Sequence, residues 1–99
     1  MFKYINAFLQ KFKVQEKEDA IIYPAVFAKE GERVSVIFPD IPEAITQGSD
    51  ILEAFEEAKA VLNASLKYYD KLPKASDVKQ VKKKYRNACC VVRVEAANR

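Results

Sequence analysis

The spacing of apolar residues changes character along this 99-residue chain. Phe2, Ile5, Phe8, Leu9 and Phe12 recur at helical intervals, with Lys3, Gln10, Lys11 and Lys13 on most of the remaining circumference. The pattern predicts a short amphipathic helix over 2–14. Such a helix packs on its own domain or across a dimer, or serves as a peripheral membrane or partner-binding element. The polar residues 15–19 then read as a linker. From Ala20 to Ala28 strand formers dominate, and from Arg33 to Phe38 the period is two, with Val34, Val36 and Phe38 on one face and Arg33, Ser35 and Ile37 on the other. Gly31, within Lys29-Glu30-Gly31-Glu32, supplies the positive φ of a hairpin turn.

Pro24 has no amide proton to donate, which places its position at a sheet edge or a bulge. Pro39 and Pro42 bend the chain, a short third strand follows over 44–47, and Gly48 ends it. Asp50, with Glu53 three residues on, opens a helix as a capping box. Ile51, Ala54, Phe55, Ala58, Val61, Leu62, Leu66 and Tyr69 form one apolar stripe suited to a sheet face. Pro73 sets the end of that helix near Lys71 or Leu72. A basic connector over 75–87 with room for a helical turn leads to a last strand over 88–95. In that strand Cys90, Val92 and Val94 face one way, and Cys89, Val91, Arg93 and Glu95 the other. The simplest legal topology returns this strand beside the first through a right-handed crossover.

A chain this short forms one small domain and gains by sharing a core or an edge, so a homodimer or higher oligomer is expected. The formal net charge of +3 conceals a segregation. Residues 20–77 carry six basic and ten acidic side chains, whereas residues 78–99 carry seven basic and one acidic. An acidic body with a basic tail can bind two kinds of partner. The adjacent cysteines, Cys89 and Cys90, are poorly placed to bond each other and fit a reducing compartment as buried strand residues. With no histidine and no CxxC spacing there is no ligand set for zinc. No apolar run is long enough to span a bilayer, and the first residues lack the apolar core of a signal peptide. A cytoplasmic protein is the expectation.

Three segments occur in a telling order: Ile22-Tyr23-Pro24-Ala25-Val26-Phe27, then Phe38-Pro39-Asp40-Ile41-Pro42, then Thr46-Gln47-Gly48 followed by the helix Asp50-Ile51-Leu52-Glu53-Ala54-Phe55. Over roughly 20–76 the chain resembles the HicB family of bacterial antitoxins, with a closing strand near Val94. Glu43 follows Pro42 where the family commonly has glycine. The resemblance implies an α+β fold, a partial RNase H-like βββαβ domain over 20–99, to which this chain adds the N-terminal helix and linker of 1–19. It implies a binding module, not an enzyme, that neutralises a HicA-type ribonuclease by covering its catalytic surface. Many family members append a DNA-binding module after the shared domain; no such C-terminal domain is expected after Arg99.

The residues themselves give no competing chemistry. Two-metal nuclease sites need acids converging from several strands and a helix. Here Asp40 and Glu43 fall in a turn, while Asp50, Glu53, Glu56 and Glu57 are accounted for by a cap and a solvated helix face. No histidine stands by to activate either cysteine. No metal or cofactor is therefore implied. For a basic RNA-binding toxin, the acidic candidates for contact are Asp40, Glu43, Glu56 and Glu57. The alternative is a nucleic-acid-associated regulator that uses Lys79, Lys82, Lys83, Lys84 and Arg86, with Tyr85 available to stack on a base.

Overall fold

A computed structural model of the chain describes residues 20–97. The expected N-terminal helix lies outside the described residues. The elements are strands β1 (Ile22–Glu30), β2 (Arg33–Ile37) and β3 (Ile45–Gly48), helices α1 (Ile51–Leu66) and α2 (Val78–Lys84), and strand β4 (Cys90–Glu95). They build an α+β fold around one antiparallel sheet of order β3-β2-β1-β4.

The β1–β2 hairpin closes through Gly31 and Glu32, and among the described residues Gly31 alone takes a positive φ, 63°. That is the demand of a two-residue turn with glycine at its first central position. Val34, Val36 and Phe38 point inward as their alternation predicts. With Tyr23, Ala25, Phe27 and Val94 they form a floor that α1 covers through Ala54, Ala58, Leu62 and Leu66. The sequence stripe needs two corrections: Ile51 is 45% exposed, and Ser65 is buried in the helix contact instead.

Pro24 sits in an interior strand, not at an edge or bulge as expected. The reason is a staggered ladder. β4 pairs with residues 22–27 of β1, whereas β2 pairs only from Val26 onward. Alternation along an antiparallel ladder turns the Pro24 nitrogen toward β2, where pairing has already ended.

Helix α1 stops at Leu66, earlier than Pro73 suggested. The Tyr68 and Tyr69 amides donate to the Ser65 and Leu66 carbonyls in a tightened last turn. Beyond it the chain is held by tertiary bonds. The Tyr23 hydroxyl donates to the Pro73 carbonyl at 2.5 Å, and Asp40 accepts from both the amide (2.8 Å) and the hydroxyl (2.5 Å) of Ser76.

From there α2, N-capped by the Asp77 side chain, carries the chain back along the sheet. Its single buried residue, Val81, lies on the face opposite α1, where Val26 is also buried. Because of this second return, β4 lies beside β1 but runs antiparallel to it. β3 and β4 thus point in opposite directions. The expected right-handed crossover does not describe this chain, because the handedness rule concerns parallel strands. Cys89 lies just before β4 and is exposed, and Cys90 is half-buried, so neither is the buried strand cysteine expected from sequence.

Candidate partner-binding surfaces

The four acidic candidates fall into two pairs. Asp40 and Glu43 lie in the turn between β2 and β3, and both are engaged within the fold. Asp40 holds Ser76, while both Glu43 carboxylate oxygens accept from the Tyr69 hydroxyl, at 2.7 and 2.8 Å. That bond raises the Tyr69 pKa above its ordinary value, because it stabilises the protonated phenol beside a carboxylate.

Glu56 and Glu57 stand on the solvent side of α1 in its second turn. From Glu56 to Tyr69 is about 20 Å at helical rise, so the pairs lie toward opposite ends of the domain. Glu56 meets Lys59 at 3.7 Å, and the Lys59 ammonium also lies 5.2 Å from the centre of the Phe55 ring. Glu57 makes no ion pair among the described residues.

The start of α1 is fixed by a reciprocal cap. Asp50 accepts from the Glu53 amide at 2.8 Å, and Glu53 accepts from the Ser49 amide at 2.5 Å. The sequence anticipated this box, with Glu53 reaching one residue further back than the cap itself. The Ser49 bond holds the Glu53 carboxyl below its ordinary range. Between the two residues of the box stands Leu52, 71% exposed. This residue lies off the apolar stripe, and its off-stripe position was the sequence signal for an exposed leucine. Helical spacing sets it beside Glu56. Ile45 and Tyr68 are other large exposed apolar residues, placed elsewhere.

The basic candidates form the outer surface of α2 and its exit. Lys79, Lys82, Lys83, Lys84 and Arg86 are all exposed, with Val81 anchoring the helix beneath them. Three lysines in the last turn suit the negative end of the helix dipole. Lys84 lies 5.8 Å from the centre of the Tyr85 ring, and both line an open groove of about 640 Å³ bounded also by Lys74 and Asp40. The acids of α1 and the cations of α2 thus occupy opposite faces of the sheet.

Among the described residues no three His, Cys, Asp or Glu side chains converge on a point that could hold a metal ion. Burial raises the Cys90 thiol pKa, which leaves it a poor nucleophile near neutrality. No helix among the described residues is long and apolar enough to cross a membrane.

No family model and no curated protein sequence matches the chain. Among solved structures, the crystal structure of the N-terminal domain of Burkholderia pseudomallei antitoxin HicB superposes with a TM-score of 0.63, covering 80% of this chain and 99% of that one. The chain carries a HicB-like fold. Sequence identity is 19%, so what the two share is the architecture. The HicB-like fold accounts for the core and the sheet, and the surface residues must be judged on their own chemistry.

Proposed function

We propose that this HicB-like domain is a cytoplasmic antitoxin or antitoxin-derived binding module that neutralises a HicA-type ribonuclease by covering its active surface. The observation that carries the reading is the outer surface of α1, where exposed Leu52 stands beside Glu56 at helical spacing and Glu57 is exposed on the same turn as Glu56. An exposed apolar side chain beside charged ones suits a protein-binding surface, and the acids complement a partner built to hold RNA. Asp40 and Glu43 form a second acidic contact at the other end. The domain supplies no catalysis; occlusion is the mechanism. It is proposed to act as a homodimer or higher oligomer, given its small core and open sheet edges.

The test is co-expression with a HicA-type ribonuclease and capture of the complex, followed by association kinetics. Reversing Glu56 and Glu57 to Lys slows association and weakens protection, most at low salt where screening is weak. The same reversal at Asp40 and Glu43 also breaks internal bonds, so thermal stability is measured alongside it.

A second reading rests on the exposed cations of α2 beside Tyr85 and the groove. In that reading Lys79, Lys82, Lys83, Lys84 and Arg86 bind nucleic acid. Neutralising the last four then abolishes binding, and each lost duplex phosphate contact removes about 0.9 from the log-log salt slope. Loss of toxin protection in this variant, with protection kept in the Glu56 and Glu57 reversal, moves the masking surface from the acids of α1 to the cations of α2, whereas nucleic-acid binding with no toxin capture at all overturns the first reading.

A further inference from the structure

Among the described residues strand β4 is an edge of the sheet, and its backbone alternation can be assigned residue by residue. Ala96 donates its amide to the Ile21 carbonyl at 2.8 Å, one step beyond the Ile22 and Glu95 pair of the ladder. By alternation, the backbone groups of Val92 and Val94 face β1, and those of Val91, Arg93 and Glu95 face outward. Ala97 agrees with this assignment, since its amide turns from β1 to donate to Asn63 Oδ1 at 2.7 Å.

Edge strands are usually protected by proline, a bulge or an inward charge. The sequence of β4, Cys-Val-Val-Arg-Val-Glu, holds no proline, and its two charges are exposed on the sheet face opposite α1. Cys90, Val91 and Val92 are apolar and only half-buried.

We propose that β4 pairs antiparallel with β4 of a second copy, about a two-fold axis at Val94, joining two four-stranded sheets into one of eight. Charge selects the register. Centred on Val94, Arg93 lies opposite Glu95 of the second copy and Glu95 opposite its Arg93, both as hydrogen-bonded pairs. Centred on Arg93 or on Glu95, the same strand would set like charges face to face, which destabilises a pair. In the favoured register Val92 also lies beside Ala96 of the second copy, which gives a half-buried valine a neighbour. The Asn63 bond to the Ala97 amide limits the ladder at that end. The contact is therefore short, and a dissociation constant in the micromolar range is expected.

This interface deepens the oligomer reading above and is independent of toxin masking. The test is sedimentation velocity of the full chain across micromolar concentrations. The native chain sediments as a dimer at the upper end. Arg93→Glu and Glu95→Arg each place like charges across the interface and raise the dissociation constant about tenfold. The double variant R93E/E95R restores the native value, because the pairs are re-formed with reversed sense. Both positions are exposed, so circular dichroism serves to show that the variants fold alike. A dimer indifferent to the single reversals overturns this interface and leaves the oligomer reading standing. A monomer at all concentrations overturns both, and single reversals that the double variant fails to rescue overturn the register.

Discussion

At the scale of single residues, the two glycines have opposite reasons for being where they are. Gly31 is needed for its φ and has open space around it, whereas a Cβ at Gly48 would fall 2.9 Å from the Glu53 carbonyl carbon and closer still to the Ala54 backbone. Gly48→Ala therefore forces α1 off the sheet and costs about 1–3 kcal/mol as overpacking. Gly31→Ala costs about 1–2 kcal/mol as left-handed strain. Urea denaturation of the two variants measures both, and only Gly48→Ala should weaken amide protection in the first turn of α1.

Glu53 adds a pH dependence. Its folded pKa lies below the ordinary value of 4.5, so its contribution is present above that pH and is lost as the pH falls through the lower folded pKa. Thermal melts of native protein and Glu53→Gln should differ by a constant amount near neutrality. The difference should shrink as the pH falls below 4.5.

At the scale of elements, legibility followed the distance over which each signal acts. The hairpin, the inward alternation of Val34 and Val36 and the Asp50 cap depend on neighbouring residues, and the sequence displayed them. The end of α1 depends on Tyr23 holding Pro73 and on Glu43 holding Tyr69, pairs 50 and 26 residues apart, which no local pattern reveals. The same blindness hid the return path of α2 and hence the direction of β4. It also hid that Asp40 and Glu43, read as a free acidic surface, each hold a partner within the fold.

These long-range bonds predict their own consequences. Tyr23→Phe keeps the buried ring and loses the bond to Pro73, at a cost of about 1 kcal/mol. Leu62→Ala opens a cavity under α1 and costs about 2–5 kcal/mol. Chemical denaturation should rank them in that order. Hydrogen exchange should place the effect of Tyr23→Phe in residues 70–77, and that of Leu62→Ala across the sheet.

At the scale of the whole molecule, the sheet separates an acidic helical layer from a basic one, and the acids are spent at scattered points. Asp50 and Glu53 cap one end of α1, Asp40 and Glu43 tie down the connector at the other, and Glu30 and Glu95 stand exposed at strand ends. Two-metal cleavage needs carboxylates fixed a few ångströms apart around a shared cleft, with the ions bridging the attacking and leaving oxygens. The two groups of acids stand about 20 Å apart along α1, and among the described residues no three His, Cys, Asp or Glu side chains gather where they could hold an ion. The expected outcome is that adding magnesium or manganese to the full chain produces no cleavage of single- or double-stranded RNA or DNA. The assay needs the Asp40→Asn and Glu53→Gln variants beside the native protein, because a contaminating nuclease survives those changes and an intrinsic one does not. Metal-dependent cleavage that travels with the folded protein and disappears in either variant would show that the fold gathers carboxylates from these separate elements after all, and would replace occlusion with chemistry.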